Sequence, residues 1–193
     1  MRVQSRLVRD HDPKMAAAIA VQHRTLFLER LGSDLVERAL ASVPARVRDE
    51  FLAATPIGWM RVSTLETIYR ELGRETGRDP AELHIEIGRL GIERTLKTLW
   101  RLFLRITSDA ALVARTPIIF NKSFDRGKLS SHIPGPGYAE LHLTGWPGVG
   151  EFPLRSTCNG IATVLTLAGR ENVRVAVRER TADGAKLVAT WKT

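Results

Sequence analysis

The stretch Tyr138–Arg170, YAELHLTGWPGVGEFPLRSTCNGIATVLTLAGR, constrains the fold most, because two hydrophobic periods meet in it. Ala139, Leu141 and Leu143 alternate with Glu140, His142 and Thr144, so the segment reads as a strand with one buried and one polar face. Gly145-Trp146-Pro147-Gly148 ends it, since Pro147 has no ladder N–H and the glycines permit a turn. Ser156 or Thr157 is then expected to cap a helix, with Cys158 in its first turn. Ile161, Val164, Leu165 and Ala168 follow at i, i+3, i+4 and i+7, and Gly169 is the expected left-handed stop.

The chain before this stretch reads as helical. Lys14–Leu31 is predicted as a helix ended at Gly32, Ser33 as the cap of a short helix through Ala41, and Pro44 as the opening of another. Thr55–Trp59 is a break. Ser63 with Glu66 three residues on has the form of a capping box, followed by an inner face of Leu65, Ile68, Tyr69 and Leu72 and a stop at Gly73 or Gly77. Asp79-Pro80-Ala81-Glu82 is the best helix start in the chain. From it a helical pattern runs to Ile106, interrupted by Gly88 and Gly91, which either admit a close neighbour or break the helix. Ile92, Leu96, Leu99, Phe103 and Ile106 form its apolar stripe, widened by Trp100, and Arg94, Lys97, Arg101 and Arg105 form a basic one. Asp109–Arg115 is expected as a short helix stopped before Pro117. Ile118–Phe124 then reads as a strand, and Lys128–Ile133 as a short strand or a loop.

A hairpin ends the chain. Val173, Val175 and Val177 alternate with Arg174, Ala176 and Arg178, and Leu187, Ala189 and Trp191 alternate with Lys186, Val188 and Thr190. A three-residue loop, Ala182-Asp183-Gly184, sets Val177 opposite Ala189 and Val175 opposite Trp191, which keeps the apolar residues on one face. Arg174, Arg178 and Arg180 are then expected to project together from the other face. The fold class is therefore α+β: a helical part packed on a small C-terminal antiparallel sheet with one late helix. It is read as a single domain over residues 1–193, comprising an N-terminal segment (1–14), a helical part (15–116) and a sheet-containing part (117–193).

Of the net charge of +8, residues 111–193 carry most, with eleven Lys/Arg against six Asp/Glu. A basic surface suits solvation or an acidic partner. One cysteine, Cys158, allows no internal disulfide and fits a reducing, cytoplasmic compartment. No stretch is long and apolar enough for a membrane span. The spacings of a zincin helix, a Walker loop, a nucleophile elbow and a Cys/His zinc site are all missing, so neither an enzyme nor a cofactor is read.

Helices, a strand with an LTGWP turn, a helix ending LAGR, then VRVAV and LVATW strands: this order resembles a paralogous family of unknown function abundant in myxobacteria. It is similar, more distantly, to the group holding the 4-vinyl reductase-type sensory domains, the TRAPP tethering subunits and the haem nitric-oxide/oxygen-binding domains. The resemblance implies a ligand-binding or scaffolding domain. Three features depart from that group. A cysteine-rich zinc site cannot form from Cys158 alone, and Cys158 is a poor match to the acylated cysteine of the tethering subunits. The Tyr-x-Ser-x-Arg motif that holds haem propionates does not occur, so a haem ligand among His11, His23, His84, His132 and His142 finds no support; His84 reads as a surface or boundary residue.

The function read from this is a non-enzymatic sensory or regulatory module for a small, largely apolar ligand. Trp100, Phe103, Phe120, His142 and Cys158 are the candidate ligand-binding residues. The alternative is an interaction or assembly module, homodimeric or meeting an acidic protein through Arg174, Arg178 and Arg180. Nucleic-acid binding ranks third, since no aromatic stacking platform accompanies the arginines.

Overall fold

The computed structural model describes residues 12–96 and 107–192. The basic-stripe residues Lys97, Arg101 and Arg105 and the candidate site residues Trp100 and Phe103 lie outside them. In chain order the elements are β1 (Lys14–Ala16), α1 (Ala17–Leu31), α2 (Ser33–Ser42), α3 (Ala45–Ala53), β2 (Trp59–Arg61), α4 (Val62–Thr76) and α5 (Pro80–Thr95). After these come α6 (Asp109–Ser123), β3 (Lys128–Gly135), β4 (Tyr138–Thr144), α7 (Glu151–Leu167), β5 (Glu171–Thr181) and β6 (Gly184–Lys192). The fold is α+β. Strands β3, β4, β6 and β5 lie in that order in one antiparallel sheet, and β1 pairs with β2 in a second, two-stranded one.

The sheet's inner face is covered by α6 over β3 and by α7 over β5. Ala139, Leu141, Leu143, Leu187, Ala189 and Trp191 point inward and are buried, as the alternation requires. Helix α7 also packs on α4 and α5, so it joins the sheet to the helical half. The inner face of α4, Leu65, Ile68, Tyr69 and Leu72, is buried as read. Asp79 caps α5, accepting from the N–H groups of Ala81 and Glu82. Gly88 and Gly91 do not break α5. They admit neighbours: a Cβ at Gly88 would meet Asn159 Nδ2 of α7 at 2.9 Å, and one at Gly91 would meet Gln22 Oε1 of α1 at 2.7 Å.

Several boundaries differ from the sequence reading. Lys14–Ala16 is a strand rather than the first turn of α1, paired with Trp59–Arg61. Ser33 and Ser63 lie inside their helices and cap neither; Ser63 Oγ donates instead to Asp12. Helix α7 begins at Glu151, so Ser156 and Thr157 sit within it and Cys158 lies mid-helix.

The largest correction concerns Ile118–Phe124, which is not a strand. Helix α6 runs through Pro117 as far as Ser123. Proline lacks the N–H that would reach the carbonyl four residues back, and a helix interior normally loses that bond outright. Here the orphaned carbonyl is that of Val113, and Ser131 Oγ of β3 donates to it at 2.9 Å. The sheet thus supplies the hydrogen bond that the proline removes. Ser131→Ala should destabilise the protein by about 1–2 kcal/mol, and most of that loss should vanish in a Pro117→Ala background, where the helix can satisfy Val113 itself. A double-mutant cycle by urea unfolding measures it.

The terminal hairpin keeps its apolar face by a different register. Thr181 pairs with Gly184, so the loop has only Ala182 and Asp183, and the pairing continues as Arg180 with Ala185 and Glu179 with Lys186. Continued unbroken, it would set Val177 against the outward Val188. A bulge at Arg178 restores the face: Val177 pairs with Leu187 and Val175 with Ala189. The loop is pinned by the turn after β4, with Gly145 N donating to Asp183 Oδ2 and Trp146 N to the Asp183 carbonyl.

Candidate functional site

Among the described residues, chemistry-bearing side chains gather in two places. The first lies inside the helical half. His23 of α1, Tyr69 of α4, His84 of α5 and Phe152 of α7 meet where those four helices converge. Tyr69 Oη lies 2.9 Å from His23 Nδ1, and the His84 ring stacks on Phe152 at 4.2 Å between centroids and edges onto Tyr69 at 4.9 Å. Phe27 and Phe51 extend the cluster on the other side. Burial lowers the pKa of His23 to about 3, with a further push from His84, and that of His84 to about 4, with a further push from Arg155. Burial raises that of Tyr69. All three rings are therefore neutral at pH 7. Nδ1 of His84 is buried without a hydrogen-bond partner among the described residues.

The second place is the sheet's outer face. Glu140 and His142 of β4, Arg178 and Glu179 of β5 and Lys186 of β6 surround an open hollow of about 300 Å³ floored by Val188. The bulge places Arg178 and Glu179 on this face together. The charges answer one another: Lys186 Nζ lies 2.8 Å from Glu179, Arg178 lies 3.8 Å from Glu140, and Tyr138 Oη donates to Glu140 at 3.0 Å.

The described members of the expected ligand-binding set, Phe120, His142 and Cys158, do not converge. Phe120 is buried on α6 against Phe124, beneath the inner face, whereas His142 is exposed on the outer face. Cys158 is half-buried on α7, its thiol pushed up to about 11 by burial and then by Glu151, so it is a thiol and not a reactive thiolate. Nor do the three arginines share a face. Arg174 and Arg178 point outward, but beyond the bulge Arg180 turns inward, donating to the Val149 carbonyl and pairing with Glu151 at the start of α7.

His84 is not a surface residue; it is 2 % exposed. The signal was present: Leu83, His84, Ile87 and Gly91 form one buried stripe, as do Ala20, His23 and Phe27. A histidine on an apolar stripe shares its burial. No pattern marked Phe152, because it precedes the assumed start of its helix.

No family model and no curated protein matches the chain. Solved structures do. An oxygen-binding H-NOX domain related to soluble guanylate cyclases superposes with a TM-score of 0.66 at 15% identity, covering 93% of this chain and 96% of that one. The fold is that of the H-NOX domains. A Cs H-NOX variant carrying 4-cyano-L-phenylalanine gives a TM-score of 0.69 at 14% identity, and an Fe(II) unliganded H-NOX protein from K. algicida gives 0.67 at 10%, each covering 93% of this chain and 97% of its own.

That fold family implies haem, and the described histidines do not fit one. His23 and His84 are 3% and 2% exposed and packed among the rings of Phe27, Tyr69 and Phe152, which leaves no space for a macrocycle at either, and His132 and His142 stand exposed on the outer sheet face.

Proposed function

We propose that this chain is a non-enzymatic sensory or regulatory module that takes a small, largely apolar ligand. The observation that carries the reading is the H-NOX fold, which extends over 93% of the chain and includes a domain described as oxygen-binding. The interior chemistry supports it. The packed rings of His23, Tyr69, His84 and Phe152 are neutral and aromatic, so the seam they close would open for a small uncharged guest sooner than for an ion. Native mass spectrometry of the full chain tests it. The expected result is a species heavier than the 21.5 kDa polypeptide that reverts to the bare mass on denaturation. Bare polypeptide alone, together with no thermal shift across a panel of small apolar compounds, defeats it.

A second reading, an interaction module, is favoured by one observation. Leu52, Ile57 and Trp59, around the connection from α3 to β2, are exposed large apolar residues, Ile57 at 96 %. The arginines of the outer sheet face favour it less, since Arg178 is matched by Glu140.

A further inference from the structure

We infer that this chain carries the H-NOX fold without haem, its helical interior closed by its own imidazole and aromatic side chains. The inference rests on the ligand-binding reading above and narrows that ligand to a molecule without a haem iron.

Haem iron is held in proteins by His, Cys, Met or Tyr. The chain has five His, one Cys, three Met and two Tyr; Met1 and His11 lie outside the described residues, and the others can be followed. Segment 97–106, KTLWRLFLRI, contains none of them, whatever its conformation. Among the described residues, Met15 and Met60 are fully buried in the core, where they pair across β1 and β2. Tyr69 is buried and bonded to His23; Tyr138 is bonded to Glu140. Cys158 is half-buried in the middle of α7, where burial pushes its thiol up to about 11 and so opposes the thiolate that a haem iron takes. His132 and His142 stand on a sheet face that gives a macrocycle an open, charged hollow and, among the described residues, no second wall.

Among the described residues that leaves His23 and His84, both enclosed in the ring cluster beside α5, with Nδ1 of His84 unpartnered there. A haem bound there would have to enter beside α5, and α5 is closed on both flanks. Asn159 Nδ2 donates to the Ile85 carbonyl at 3.1 Å, holding α7 against Gly88. Gln22 Nε2 donates to the Gly91 carbonyl at 2.8 Å and to Thr95, holding α1 against the same helix one turn on. The Phe152 ring lies nearly parallel to His84, at 19°, and holds the imidazole inside the cluster, where a macrocycle edge-on to it would have to displace the packed rings of Tyr69 and Phe152. Opening the seam would break both clasps and expose Phe152, Tyr69 and Phe27.

Hemin titration of the full-length protein decides the matter, read by the Soret band, by the carbon monoxide difference spectrum after reduction, and by melting temperature. The expected result is unsaturable absorbance resembling free hemin, no carbon monoxide-dependent change and an unmoved melting temperature. One-to-one saturation with a sharp, carbon monoxide-sensitive Soret band overturns the inference, whether the band survives His84→Ala or is lost in His11→Ala or His84→Ala. The two readings fail separately. A haem mass in the native spectrum would defeat this inference and leave the ligand-binding module standing. Bare polypeptide there, with no thermal shift across the apolar panel, would defeat the module and leave this inference intact.

Discussion

Urea unfolding at pH 4.5 should find the protein about 5 kcal/mol less stable than at pH 7, with the two buried imidazoles each contributing about 2–3 kcal/mol of the loss. His23 and His84 titrate near 3 and 4 in the folded protein and near the ordinary 6.5 once unfolded. Between those values the unfolded chain binds protons that the folded one cannot. The imidazole contribution is therefore flat above pH 7, falls as the pH drops through 6.5, and goes on falling until the folded imidazoles themselves protonate. The loss is comparable with the whole stability of an ordinary domain, about 5–15 kcal/mol, so acid unfolding should set in well before the carboxylates are neutral. Glu50 adds to the loss only lower down. Burial alone would raise its pKa, but hydrogen bonds from Arg61 and Thr64 lower it on balance, so its contribution disappears below pH 4.5. The interval from 6.5 to 4.5 thus belongs to the imidazoles. His84→Phe should halve the slope there and cost nothing at pH 7, because it removes an unpartnered buried nitrogen and keeps a ring against Phe152. A wild-type stability that stays level across that interval would contradict the burial of both rings.

What could be read from the sequence was whatever depends on a single element. The alternation in Ala139–Leu143, the inner face of α4 and the Asp79 cap each follow from residues within a few positions of one another, and each is found. What could not be read depends on a distant partner. Pro117 ought to stop a helix, and does not, because Ser131 lies close enough to take over the carbonyl of Val113. The hairpin loop is one residue shorter than expected, because the bulge at Arg178 corrects the register that the shorter loop would spoil. The same bulge dissolved the expected arginine face by turning Arg180 inward. The imidazole cluster draws one residue from each of four helices and has no local signature beyond two histidines on apolar stripes.

Asp109→Ala should cost about 3–5 kcal/mol, the largest loss expected from any single side chain outside the apolar core. Its carboxylate stands between two segments that sequence words had marked, LAGR and LVATW, without showing that they meet. Arg170 Nε donates to Asp109 Oδ1 at 2.8 Å, and Trp191 Nε1 donates to Oδ2 at 2.9 Å. Arg170 also donates to the carbonyls of Ala168 and Thr107 at 2.6 and 2.7 Å. One acid thus ties the start of α6 to the corner between α7 and β5 and to the end of β6. The pair is enclosed, with side chains 10% and 20% exposed, so solvent screens it little. Removing the acid strands a buried guanidinium and a buried indole N–H at once. Asp109→Asn should cost less, since its amide oxygen can still accept from one of the two donors, although it forfeits the charge. Arg170→Met should also be milder than Asp109→Ala, because it removes the buried cation instead of orphaning it. Urea unfolding orders the three variants, and near-ultraviolet dichroism reports the packing of Trp191. If Asp109→Ala costs under about 1 kcal/mol, or no more than Arg170→Met, the three segments are held by apolar packing alone and the acid adds nothing to the junction.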